Sequence, residues 1–111
     1  MLTAAIVLFG LGAVAGLVLA YLHINKKDVP FTLVIGHGAL VATGLVLLIL
    51  TVAKVGGTML TTALVVFLVA AVGGFILLSY HLRTRLLPVP LIYIHGLAAV
   101  VAFVILLASV L

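Results

Sequence analysis

Residues 1–53 lie on residues 59–111 at a constant offset of 58 with no gap, and 18 of the 53 paired positions are identical. The matched positions include Met1/Met59, Thr3/Thr61, Phe9/Phe67, Gly16/Gly74, Pro30/Pro88 and Leu48/Leu106. A tandem repeat restricts architecture before any single segment is assigned, because one unit must be built twice. All four histidines belong to it, as His23/His81 and His37/His95, with Gly38 and Gly96 following the second pair. In an otherwise apolar chain the repeat thus retains the side chain most often used to bind metals at neutral pH.

Of the 111 residues 68% are hydrophobic and 5% charged, with a mean hydropathy of +1.72. Charged side chains make up about a quarter of a soluble domain, so this chain reads as an integral membrane protein. It has no cysteine, which excludes disulfides, thiolate metal sites, iron–sulfur clusters and covalently attached haem. The net charge of +4 comes from a few Lys and Arg in short connections. That is a topology pattern, with no basic stripe of the kind that binds nucleic acid.

Apolar runs cover 3–23, 31–53, 58–81 and 89–111, each long enough to cross a hydrocarbon core of about 30 Å as a helix. Backbone groups in lipid must be bonded within the segment, so all four are expected as transmembrane helices. The first run is not read as a secretory signal, because no basic segment precedes it and the third run is its copy. The connections Ile24–Pro30, Lys54–Gly57 and Leu82–Pro88 are too short for anything but antiparallel neighbours. The expected fold is all-α: an up-down-up-down four-helix bundle made by duplication of a hairpin, with repeats 1–53 and 59–111 joined by the linker 54–58 in one transmembrane domain. Each repeat crosses twice, so the halves share an orientation and are related by a pseudo-two-fold axis along the membrane normal. Lys26, Lys27, Arg83 and Arg85 fall on one side and Lys54 on the other, which places the first side in the cytoplasm and both termini outside. A bacterial or archaeal plasma membrane is the expected location.

Small residues mark where helices approach: Gly12, Gly16 and Ala20 above His23, Ala70 and Gly74 above His81, and Ala98, Ala99 and Ala102 near His95. Close packing accounts for most of them. Ionisable residues inside a membrane are costly and are usually functional. His23 and His81 stand near helix ends, where an interfacial role is the alternative. His37 and His95 lie seven residues beyond a proline, roughly 10 Å into the membrane; for them the alternative is a buried histidine satisfied by hydrogen bonds.

The remaining side chains narrow the chemistry. Asp28, in a loop, is the only carboxylate, so there is no acid for a proton relay, no carboxylate cation site and no carboxylate pair for hydrolysis. Ser79 and Ser109 have no acidic partner to orient a Ser–His arrangement, and Gly36-His37-Gly38 follows no strand that would make it a phosphate loop. Imidazole coordination remains. Neutral histidine suits Zn, Cu or Fe, and two histidines on opposite helices are the axial set of a low-spin haem iron. Gly16 and Gly74 fall about 13 Å deep, near the level of His37 and His95, and would leave room beside a flat macrocycle. Gly38 and Gly96 adjoin the deep histidines. A zinc site would more often show four converging ligands with polar partners around them.

The repeated Pro-x6-His-Gly pattern in a short four-helix membrane chain resembles the small membrane b-type cytochromes, broadly the cytochrome b561-like bundles. The likeness rests on His23, His37, His81, His95 and the glycines Gly16, Gly74, Gly38 and Gly96. It implies haem b held by histidines as metal ligands, and electron transfer with a quinone or a redox partner subunit in a hetero-complex or homo-oligomer. The chain departs from larger members in having no histidine level in the other leaflet, so passage of electrons across the whole membrane by this chain alone is not expected. The alternatives are a non-redox membrane scaffold or accessory subunit and a transition-metal-binding membrane protein.

Two haems are the favoured count, one the alternative. Side chains lean toward the N-terminus of their own helix. His23 would thus lean inward and His37 outward, bringing them to one level. That favours His23 with His37 and His81 with His95, or the same pairs exchanged between hairpins. If His37 instead faces His95, levels about 7 Å apart leave room for one upright macrocycle.

Overall fold

Pro30 and Pro88 set the helix starts. Both are extended (φ −62°, ψ 130° and φ −65°, ψ 120°) and cap a following helix, and their carbonyls accept the first backbone bonds of that helix. In the computed structural model, which describes all of residues 1–111, the elements are α1 (Leu2–Ile24), α2 (Phe31–Val55), α3 (Thr58–Leu82) and α4 (Val89–Ala108). All four are long and apolar enough to cross a membrane. Helix α4 stops three residues short of the expected end: the N–H groups of Val110 and Leu111 reach back three residues to Leu107 and Ala108, the tighter spacing of a fraying last turn. Between α2 and α3 the chain reverses through Gly56 (φ 61°) and Gly57 (φ 100°), a pair of left-handed conformations for which glycine is the default.

The duplication governs the interior. Of the 14 buried residues, twelve form six pairs at the repeat spacing: Ala5/Ala63, Phe9/Phe67, Gly12/Ala70, Leu19/Leu77, Gly44/Ala102 and Leu48/Leu106. Helices pack most closely within each hairpin, α1 on α2 and α3 on α4, while α1–α4 and α2–α3 form the sparser seams. Helix α1 is therefore diagonal to α3, and α2 to α4. Across the first diagonal Phe9 stacks on Phe67, with ring centroids 3.9 Å apart and planes 7° apart. Gly44 makes room for that stack, since a Cβ there would sit 3.3 Å from the Phe9 ring. Outward faces carry Leu17, Phe75, Ile94 and Leu97, each more than 60% exposed. A bundle of 42 × 23 × 22 Å whose outside is as apolar as its inside is built for lipid.

The repeats differ where neighbouring side chains exchange volume. A Cβ on Gly12 would meet Val41 Cγ1 at 2.5 Å, whereas the second repeat has Ala70 and Ala99 at the same two positions. Gly12→Ala is therefore expected to destabilise the first hairpin by about 1–3 kcal/mol. Adding Val41→Ala should recover most of that loss, as Ala70 with Ala99 already does. Thermal melting in detergent of both single variants and the double variant tests this, and additive losses would refute it.

The hairpin turns also repeat. Lys26 and Thr84 both stand at φ 54°. The N–H groups of Lys27 and Lys26 return to Leu22 and His23, and those of Arg85 and Thr84 to Tyr80 and His81. This is the Schellman termination, whose left-handed residue is normally glycine. For Thr84, branched at Cβ, the conformation is unfavourable. Thr84→Gly should raise stability by up to about 1 kcal/mol; a lower melting midpoint would refute the strain argument.

Candidate functional site: two imidazole pairs on the bundle axis

His37 on α2 faces α1 where Gly12 and Gly16 leave no side chain in the way. Its Nδ1 lies 2.8 Å from the Gly12 carbonyl oxygen. A carbonyl only accepts, so Nδ1 carries the proton and donates it, and in the neutral ring Nε2 keeps its lone pair. The ring edge rests on Gly16, where a Cβ would lie 3.0 Å from His37 Cε1. The second hairpin repeats this arrangement. His95 Nδ1 donates to the Ala70 carbonyl at 2.7 Å, and a Cβ on Gly74 would lie 3.1 Å from His95 Cε1. Each bond uses the spare lone pair of a helical carbonyl to tie two helices together, an interaction worth roughly 0.6–2 kcal/mol in a membrane.

Across the second diagonal the rings of His37 and His95 face one another with centroids 6.4 Å apart and planes 84° apart. Two imidazoles bound to one metal at about 2.0–2.1 Å per nitrogen have ring centres roughly 6 Å apart. Nearer the loops His23 and His81 form a second pair, centroids 5.9 Å apart and planes 83° apart. His23 Nδ1 donates to the Leu19 carbonyl of its own helix at 2.8 Å, while its Nε2 is buried without a partner. Phe31 stacks on His81 at 5.7 Å; the other repeat has Val89 at that position, so this contact breaks the symmetry.

The four histidines thus meet as His37 with His95 and His23 with His81, both across the axis. The favoured grouping of His23 with His37 and His81 with His95 is not the one formed. The inward lean foreseen for His23 does occur, toward Leu19. His37, however, is held by the Gly12 carbonyl on the neighbouring helix, which keeps its ring beside Gly16. Gly16 and Gly74 do lie level with the deep histidines, but the imidazoles themselves fill the room expected beside a macrocycle. At Gly38 and Gly96 nothing beyond the chain neighbours and the helix's own backbone lies within 4 Å of where a Cβ would stand, so no neighbouring helix presses on either glycine. Residues that sequence reasoning did not place here are Gly12 and Ala70, whose carbonyl oxygens accept the imidazole N–H groups, Gly73 against His95, and Phe31 on His81. Gly12 was legible only as a packing residue, because a backbone carbonyl leaves no trace in side-chain patterns.

Chemically, the axis offers imidazole nitrogens in two pairs within an apolar lining. No three or more His, Cys, Asp or Glu side chains converge as a ligand cluster, so the four-ligand cage of a structural zinc site is not built. An Nδ1–H bond to a carbonyl sets both the tautomer and the orientation of an imidazole, as it does for histidines that would hold a metal. The 6.4 Å between the two deep ring centres would accommodate one metal ion between them. No protein-family model matches the chain, and no curated protein or solved structure is significantly similar to it.

Proposed function

We propose that this chain is a membrane b-type cytochrome that holds one haem between His37 and His95 and exchanges electrons with a quinone or a redox partner subunit. The observation that carries the reading is the deep pair: each ring donates Nδ1–H to a carbonyl, which leaves Nε2 with its lone pair, and the two ring centres lie 6.4 Å apart. One haem follows from pairing across the axis, because the His23–His81 level is too near for a second upright macrocycle. Haem so held supplies reversible one-electron transfer. The protein's part is to orient the two imidazoles, to fix the tautomer of each through its Nδ1 bond, and to exclude water with the Phe9–Phe67 stack on the side away from the loops. A visible spectrum of the purified protein tests the reading. A sharp Soret band with reduced α and β bands is expected, and a colourless preparation that takes up no added haemin would overturn it.

A second reading, a non-redox scaffold or accessory subunit, is favoured by one observation. The imidazoles already satisfy Nδ1 across each hairpin and fill the space above Gly16 and Gly74, as structural histidines would. The same spectrum separates the two.

In this proposal the loops bearing Lys26, Lys27, Arg83 and Arg85 face the cytoplasm, by four cations against Lys54 alone. Single cysteines at Asn25 and Thr58 should be labelled by impermeant reagents in cells only at Thr58. Labelling at Asn25 alone would reverse the orientation and put the haem in the outer leaflet.

A further inference from the structure

At the loop end of the bundle the two equivalent connections enclose a cleft of about 470 Å³ whose lining includes His23, His81, Lys26, Lys27, Arg85 and Asp28. That is the space of roughly fifteen waters. Three of the four loop cations thus line one concavity with a single carboxylate among them. Like charges gathered against a low-dielectric wall repel one another and focus a positive potential. The turn geometry produces this gathering: the paired positions Lys26 and Thr84, both at φ 54°, line the cleft, as do the paired positions Lys27 and Arg85. A pure topology signal needs the cations only on one side of the membrane. It does not need them from both loops around one hollow.

We infer that this cleft binds the phosphate head group of an anionic phospholipid from the surrounding leaflet. The cations of both loops supply the oxyanion contacts, and the aliphatic members of the lining, among them Val29 and Leu86, lie against the glycerol and the first chain carbons. The source is lipid because cationic and aliphatic side chains share one wall at the end of membrane-spanning helices. Basic hollows at that level are where anionic head groups bind. His23, with a buried Nε2 that has no partner, lies in the lining of the cleft. This site is independent of the haem reading, since His37 and His95 take no part in it.

The test uses the full-length protein purified in detergent, delipidated, and offered phosphatidylglycerol or phosphatidylcholine, with retained phosphorus measured per chain. About one tightly held phosphatidylglycerol is expected, preferred over phosphatidylcholine by about tenfold or more. The double variant Lys26→Gln with Arg85→Gln should lose that preference. Lys26→Arg and, on the opposite side, Lys54→Gln should keep it. Both loop positions are exposed, and helix content by circular dichroism checks that the variants fold. Equal retention of the two lipids, retention by the double Gln variant, or equal loss in Lys54→Gln would each overturn the proposal. In phosphatidylcholine nanodiscs, millimolar inorganic phosphate should not shift the melting midpoint. A shift as large as that given by phosphatidylglycerol would assign the cleft to a soluble phosphate and overturn the lipid source.

Discussion

On the proposed haem reading, His37→Ala is expected to abolish haem binding, lowering haem per chain from about one to below a tenth, and His95→Ala should do the same. The motive is the pair across the axis: either substitution removes one of the two imidazoles that would hold the haem. His23→Ala should leave the haem content unchanged, because His23 meets His81 nearer the loops and its Nδ1 is engaged within α1. Pyridine haemochrome quantification against protein concentration gives the count directly. Two haems per chain, with one lost in His23→Ala, would restore pairing within hairpins and discard the axial pair. Loss of the α2-to-α1 hydrogen bond in His37→Ala costs at most about 2 kcal/mol, so helix content is measured in parallel to separate lost ligation from lost fold.

Gly16→Val should be as damaging as His37→Ala, whereas Gly38→Ala should be nearly silent. A Cβ on Gly16 already stands 3.0 Å from His37 Cε1, and two further methyl groups would drive the imidazole off the Gly12 carbonyl. Overpacking of this kind costs roughly 1–3 kcal/mol, and the displaced ring leaves its place opposite His95. Around Gly38 there is open space, so a methyl group there stays within about 0.5 kcal/mol of the parent. Melting midpoints and haem content of both variants provide the test. A destabilised Gly38→Ala beside a tolerated Gly16→Val would contradict the assignment of these glycines. The contrast is informative because both glycines follow the repeat and both sit within a residue or a turn of a deep histidine's level.

What the chain determines by itself follows from period, polarity and length. The offset of 58 leads most positions buried in one hairpin to be buried in the other, as Phe9/Phe67 and Leu48/Leu106 are, while Thr51 and Ile92 are buried without their repeat partners. Apolar runs separated by Pro30, Gly56-Gly57 and Pro88 specify four crossing helices, because lipid leaves the backbone no other way to satisfy its polar groups. The depth match between Gly16 and His37 also follows from rise per residue alone.

Which imidazoles meet was decided only by tertiary structure. Side-chain lean along a helix is a local preference, and it was realised for His23, whose partner, Leu19, lies on its own helix. For His37 a stronger local demand came from outside the helix: Gly12, lacking a side chain, exposes a carbonyl with a spare lone pair to the neighbouring helix. An N–H group in an apolar bundle takes the nearest acceptor, since leaving it unpaired costs more than any rotamer preference. The same bond decides what Gly16 and Gly74 are for, and it leaves Gly38 and Gly96 with no neighbouring helix against them. Rotation of α2 about its own axis puts His37 inward, and at 3.6 residues per turn the adjacent glycine then lies about 100° round the helix, where no neighbouring helix comes within 4 Å of a Cβ.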